Sequence, residues 1–158
     1  MRCSNGFTLI DLMIAVSIVT ILTLVAVPSY QQFMRRSYRT DARATLYELA
    51  QLEERNFTTT NTYLCFNTTG VSGCTTTPTG WKNYSGNSYA TRKYSIGVTS
   101  RSGTVACSGE TVTNSIANSF VITATPANGF TDPECGNLTL DSCGTRGNSS
   151  GTLANCWR

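Results

Sequence analysis

The sequence predicts an α+β fold: one long N-terminal helix, apolar in its first half, packed by its second half on a three- to four-stranded antiparallel sheet. Three observations carry this expectation. From Phe7 to Val27 there are 21 residues with a single charge, Asp11. Beyond Pro28 the apolar residues recur at helical spacing. After about residue 90, short β-branched runs alternate with Gly-, Ser- and Thr-rich connections.

The first segment, 7–27, is long enough to cross a bilayer core, since about 20 apolar residues at a rise of about 1.5 Å suffice. The helix is predicted to run from residue 7 to about 57, roughly 75 Å if continuous. Pro28 should kink or locally loosen it. In its second half Tyr38, Ala42, Leu46, Leu49 and Phe57 fall on one face, with Arg43, Glu48, Glu54 and Arg55 away from the centre of that stripe. Such a stripe docks on a sheet. Residues 58–91, rich in Thr, Asn, Gly and Ser, read as a long loop. Strands are predicted at Lys93–Thr99, Phe120–Thr125 and Leu138–Asp141, with an irregular connection around Cys107 between the first two. The organisation is thus 1–6, a short polar start; 7–27, an apolar helix; and 28–158, a head comprising helix to about 57, loop 58–91, and sheet with C-terminal loop 92–158.

Composition narrows the function. The 158 residues leave room for one domain beyond the apolar segment. A net charge of +3 is too small to argue for nucleic acid by itself. The chain has no histidine, which removes the commonest general base and metal ligand. No enzyme, cofactor or metal is expected: the acidic residues Asp132, Glu134 and Asp141 could hold calcium in principle, but read as solvated loop charges. Of seven cysteines, Cys3 precedes the apolar helix, leaving Cys65, Cys74, Cys107, Cys135, Cys143 and Cys156. None forms a Cys-x-x-Cys pair, and an even number in a small head reads as three disulfides made outside the cytoplasm. Six cysteines allow about 15 pairings. Among these, Cys65–Cys74 is a cheap pairing because it would close a short local loop, but the sequence leaves the partners of Cys65, Cys74, Cys107 and Cys143 open.

The segment Gly6-Phe7-Thr8-Leu9-Ile10-Asp11-Leu12-Met13 resembles the prepilin-processing motif of type IV pilins, and the resemblance extends through Pro28 to Tyr30-Gln31-Gln32-Phe33. Asp41-Ala42-Arg43 and Leu49-Ala50-Gln51-Leu52-Glu53-Glu54-Arg55 look like the helix of a pilin subgroup that includes minor and DNA-uptake pilins. Cys135-Gly136-Asn137-Leu138-Thr139-Leu140-Asp141 with Cys156-Trp157 is similar to that subgroup's C-terminal region; residues 58–134 match only loosely. The resemblance implies a leader, 1–6, removed between Gly6 and Phe7 by a prepilin peptidase that also methylates Phe7. It implies single-pass insertion in the inner membrane, then assembly with other pilin subunits into an extracellular filament. It pairs Asp11 with the methylated amine of a neighbour. It also implies a Cys135–Cys156 staple closing the C-terminal loop, which with Cys65–Cys74 leaves Cys107–Cys143. The family usually has Glu where this chain has Asp11, whose reach is shorter by about 1.3 Å; that departure favours a minor over a major subunit.

Two features compete with this reading. A secretory signal would have a shorter apolar run, of about 7–15 residues, and a small-residue cleavage site; here Ala26-Val27 is followed by Pro28. Charge counting predicts the reverse orientation, because Arg2 alone precedes the span while Arg35, Arg36, Arg39 and Arg43 follow it. The six cysteines and the family motif outweigh it. Finally, Trp81-Lys82-Asn83-Tyr84, Tyr89 and Arg92-Lys93-Tyr94 interleave cations with aromatics. Lys82, Arg92 and Lys93 are candidate DNA contacts, weighed against a solvated face over packed rings. The expected function is a structural pilus subunit, with DNA contact not favoured; the alternatives are a pilus-borne DNA receptor and a type II secretion pseudopilin. The usual scarcity of cysteines in pseudopilins speaks against the last.

Overall fold

A computed structural model of the chain describes residues 8–66, 74, 77–107 and 110–158, the side chains of 101–117 excepted. The expectations for Cys3, Gly6 and Phe7, and for the Cys107 side chain, lie outside the described residues. The chain forms two compact units, Met1–Arg36 and Ser37–Arg158.

Helix α1 spans Leu9–Thr60 and continues through Pro28. It thus begins two residues later than predicted and ends three later. In the second unit its buried face is Ala42, Leu46 and Leu49, while Tyr38 and Phe57 pack half-buried at the margin. The stripe also continues into two charged positions that the apolar pattern did not include, Arg39 and Glu53, both buried.

Against this face lies a four-stranded antiparallel sheet in the order β1-β2-β3-β4, comprising β1 (Tyr94–Cys107), β2 (Glu110–Pro126), β3 (Leu138–Asp141) and β4 (Arg146–Asn148). Successive side chains on a strand point to opposite faces. One face therefore gathers Tyr94, Ile96 and Val98 from β1, Phe120, Ile122 and Ala124 from β2, and Leu138 and Leu140 from β3, all buried. Register keeps them together: Ile96 sits opposite Ala124, Val98 opposite Ile122, and Ile122 opposite Leu140. Fully burying a side chain of this size contributes about 1.5–3 kcal/mol, so this alternation fixes the fold.

The sheet departs from the sequence reading in three ways. The predicted irregular connection around Cys107 is instead the continuation of β1 and β2 into one long hairpin, with register shifts at Arg101–Ser102 and Ser102–Gly103. Thr, Ser, Val and Gly there satisfy backbone pairing without an apolar signature, so composition alone reads as loop. The fourth strand that the sequence reading allowed for, without placing it, is β4; the short helix α2 (Leu153–Cys156) was not predicted. The residues between α1 and β1 are also partly tied to the sheet. Phe66 exchanges backbone hydrogen bonds with Val98 at 2.9 and 2.8 Å, Ser85 N–H donates to Tyr94 O at 3.0 Å, and Ile96 N–H donates to Asn83 O at 2.7 Å.

Disulfides join Cys65 to Cys74 and Cys135 to Cys156; Cys143 is also disulfide-bonded. The Cys135–Cys156 bond links the turn before β3 to α2. Beside it Gly151 takes φ +70°, and a Cβ there would run into the Glu134 carbonyl. Only glycine meets both conditions cheaply. Trp157 Nε1 donates to Gly147 O at 3.0 Å, tying the last residues to β4.

Candidate functional site

The first half of α1 is chemically the most unusual surface of the chain. Its most apolar window has a mean hydropathy of 2.6 and none of it is buried, and it is long and apolar enough to cross a membrane. From Leu9 at 77% to Val27 at 47%, its large apolar side chains stand open. Its three interior hydroxyls are satisfied within the helix: Ser17 donates to Met13 O at 2.7 Å, Thr20 to Val16 O at 2.8 Å and Thr23 to Val19 O at 2.5 Å. This bonding pattern lets polar side chains enter an apolar medium without an unpaired donor.

At the start of this helix, Asp11 and Thr8 bond reciprocally. Asp11 Oδ2 accepts from the Thr8 N–H at 3.2 Å and from its hydroxyl at 2.6 Å, while Asp11 N–H donates to Thr8 Oγ1 at 3.3 Å. This is a capping box with Asp in the third helical place. The Thr-x-x-acid spacing was legible in the sequence, where the motif reading absorbed it. Both sequence-predicted assembly positions lie at this end, Asp11 described and Phe7 beyond the described residues.

The second candidate is the basic–aromatic surface of the head. Arg92 lays its guanidinium 3.8 Å from the Tyr89 ring centroid and donates to Tyr89 O at 2.6 Å. Tyr89 meets Tyr84 edge-on at 5.8 Å. Lys93 Nζ stands 5.5 Å from the Tyr38 ring and lines an open cavity of about 510 Å³ with Asp41, Asn87 and Asn128. Lys82 is half-buried and is not part of that wall. Trp81 meets Phe66 edge-on at 5.8 Å, so its ring is engaged with the core rather than open for stacking. The structure thus brings Tyr89 and Arg92 into one stack, sets Lys93 in the adjoining wall, and does not join Lys82 to either.

Sequence reading missed the head's charged centre. Arg39 donates from Nε and Nη2 to Asp132 at 2.6 and 2.5 Å, and from Nη2 to Glu134 at 2.8 Å. Tyr94 hydroxyl donates to Asp132 at 2.7 Å, and Cys135 N–H donates at 3.2 Å. Burial pushes the Asp132 carboxyl up, but the bonds from Arg39 and Tyr94 outweigh it and hold the carboxyl below its usual value. The Tyr94 hydroxyl is raised by burial and by Asp132. Two of the three acids weighed for calcium are therefore committed to an arginine. The third, Asp141, accepts from Cys143 N–H at 3.0 Å and Thr145 N–H at 2.7 Å, closing a turn. No cluster of His, Cys, Asp or Glu suited to a metal occurs among the described residues.

With this geometry in view, the comparisons with known proteins fall into one class, the type IV pilins. Residues 1–27 match the prokaryotic N-terminal methylation motif. Residues 28–139 match the family described as type IV minor pilin ComP, DNA uptake sequence receptor. The chain belongs to that type IV minor pilin family. Among curated relatives, the type IV major pilin protein PilA of Myxococcus xanthus is 36% identical over 63 residues, 40% of this chain and 29% of that protein. A fimbrial protein of Pseudomonas aeruginosa is 48% identical over 42 residues, 27% of each chain. The chain thus spans less than a third of the length of the curated relatives it matches. The solved structure of a type IV pilin from Shewanella oneidensis aligns with a TM-score of 0.44 at 24% identity, covering 78% of this chain and 97% of that one.

Proposed function

We propose that the chain is a minor subunit of a type IV pilus, inserted in the inner membrane by the first half of α1, trimmed between Gly6 and Phe7, and then packed by the same helix against other pilin subunits. One observation carries the reading: the first unit leaves its apolar surface open, whereas the second completes its own core. Lipid covers such a helix before assembly and neighbouring helices cover it afterwards, so the subunit exchanges one apolar medium for another. Asp11 supplies register, because an unpaired carboxylate inside a helix bundle is costly. Thr8 engages one oxygen of that carboxylate, and the second is available to the methylated amine of a neighbouring Phe7.

The test is filament incorporation of Asp11 variants in a piliated host. Asp11→Ala should insert in the membrane normally and be depleted several-fold from sheared filaments. Asp11→Glu should restore incorporation, and Asp11→Asn, which keeps an acceptor for Thr8 without the charge, should fail as the alanine does. Equal incorporation of all three would leave apolar packing as the director of assembly.

A second reading, DNA reception, draws support from the family description over residues 28–139 and from the Arg92–Tyr89 stack. The full-length chain in detergent should then retard duplex DNA, with affinity falling steeply between about 50 and 200 mM salt. Joint replacement of Lys82, Arg92 and Lys93 by alanine should abolish the shift without altering the fold. Retention of the shift would move the contact elsewhere on the head, and no shift at low salt would leave these side chains as a solvated face.

A further inference from the structure

The end of α1 holds a buried carboxylate that neither reading uses. Glu53 has 0% of its surface exposed. Its Oε2 accepts the Leu64 N–H at 2.9 Å, and its Oε1 is buried with no hydrogen-bond partner among the described residues. The titratable groups acting on this corner among the described residues are Glu54, on the same helix, and Tyr63, on the segment that follows it. Tyr63 donates its hydroxyl to Glu54 at 3.0 and 3.1 Å. Its ring stacks on Phe57 at 4.5 Å and meets Phe120 of the sheet edge-on at 4.9 Å. Glu53 is thus fully buried with a second carboxylate acting on it, an environment that favours the neutral form of a buried acid.

We propose that Glu53 is a proton-operated latch: neutral, it fastens Leu64, and with it the entry to the Cys65–Cys74 loop, to the end of α1; ionised, it loosens that attachment. The neutral carboxyl still offers Oε2 to Leu64 and leaves no uncompensated charge. The anion keeps the Leu64 bond but places an unpaired oxygen beside Glu54, and the cheapest relief is an opening that admits water. Burial pushes the Glu53 carboxyl up to about 7; the Leu64 bond opposes this and Glu54 adds to it. Because the closed state holds its proton more tightly than the open one, closure is most stable below the ordinary value of 4.5. It weakens as pH rises towards about 7, and changes little above that. The latch sits directly before Phe66, which pairs with Val98 and contacts Trp81, so loosening acts at the base of the aromatic stretch. The inference does not rest on the DNA reading.

The experiment uses the full-length chain in detergent micelles, with carboxyl-carbon NMR of Glu53 and amide exchange of Leu64 corrected for intrinsic exchange chemistry. Glu53 should titrate near 7, and the corrected exchange of Leu64 should rise about twenty-fold between about pH 5.5 and 7.5. Glu53→Gln, which keeps an acceptor for Leu64 and cannot ionise, should hold that exchange constant to within about two-fold. A wild-type carboxyl titrating near its ordinary value overturns the proposal, whether or not the variant folds. So does the same pH slope in Glu53→Gln.

Discussion

Arg39 is the residue on which the head's internal charge depends. Its guanidinium is almost wholly buried and meets an Asp132 carboxylate that is fully so. Such a pair adds little net stability compared with a well-packed apolar substitute, yet removing one partner strands the other charge in the interior. Asp132→Ala should therefore cost about 3–5 kcal/mol, read by chemical unfolding of the full chain in detergent. A cost under about 1 kcal/mol would mean water or Glu134 already compensates Arg39. The pH dependence has a definite sign. Asp132 is held below its usual value in the fold, so its contribution is present above about pH 4 and is lost as acid protonates it in the folded state. Glu53 acts in the opposite direction, weakening its attachment as pH rises towards neutrality. Both charged residues continue the spacing of Ala42, Leu46 and Leu49, three residues before and four after. An apolar count skips charged residues even within its own stripe, which here runs from Tyr38 to Phe57, and that is why the sequence reading passed over them. Their register was visible; the partner Asp132, more than ninety residues away, was not.

Elements differ in how plainly their residues announce them. The apolar half of α1 is legible because nothing but a helix can take so many apolar residues into a membrane or bundle. Its docking half is legible from periodicity, and β3 from Leu138 and Leu140 alternating with Thr139 and Asp141. The long hairpin was not, since β1 and β2 extend through Ser, Thr and Gly residues whose pairing is a matter of backbone geometry and tertiary context. β4 offers only Arg146-Gly147-Asn148, and pairing with β3 makes it a strand. The Cys135–Cys156 bond holds this terminal region, linking the turn that carries Asp132 and Glu134 to α2. Cys135→Ser should destabilise the head by about 2–5 kcal/mol, measured by denaturant unfolding under non-reducing conditions. It should also speed proteolysis in residues 142–158. An unchanged midpoint and cleavage pattern would mean that β-pairing and the Trp157–Gly147 bond hold the terminus unaided.

The whole molecule reads as two units with different demands on their surroundings. The first, Met1–Arg36, leaves its apolar side chains open and needs lipid or other helices to cover them. The second, Ser37–Arg158, buries its own core and adds disulfides suited to an oxidising compartment. That division accounts for membership in a family of filament subunits. The central claim is that one chain passes from membrane precursor to filament subunit, and its chemical record is the N-terminus of the assembled form. Mass spectrometry of sheared filaments should find this chain beginning at N-methylated Phe7, with Cys3 absent. A chain recovered instead as a soluble protein beginning near Ser29 would contradict the account, because the apolar helix would then have been discarded rather than assembled.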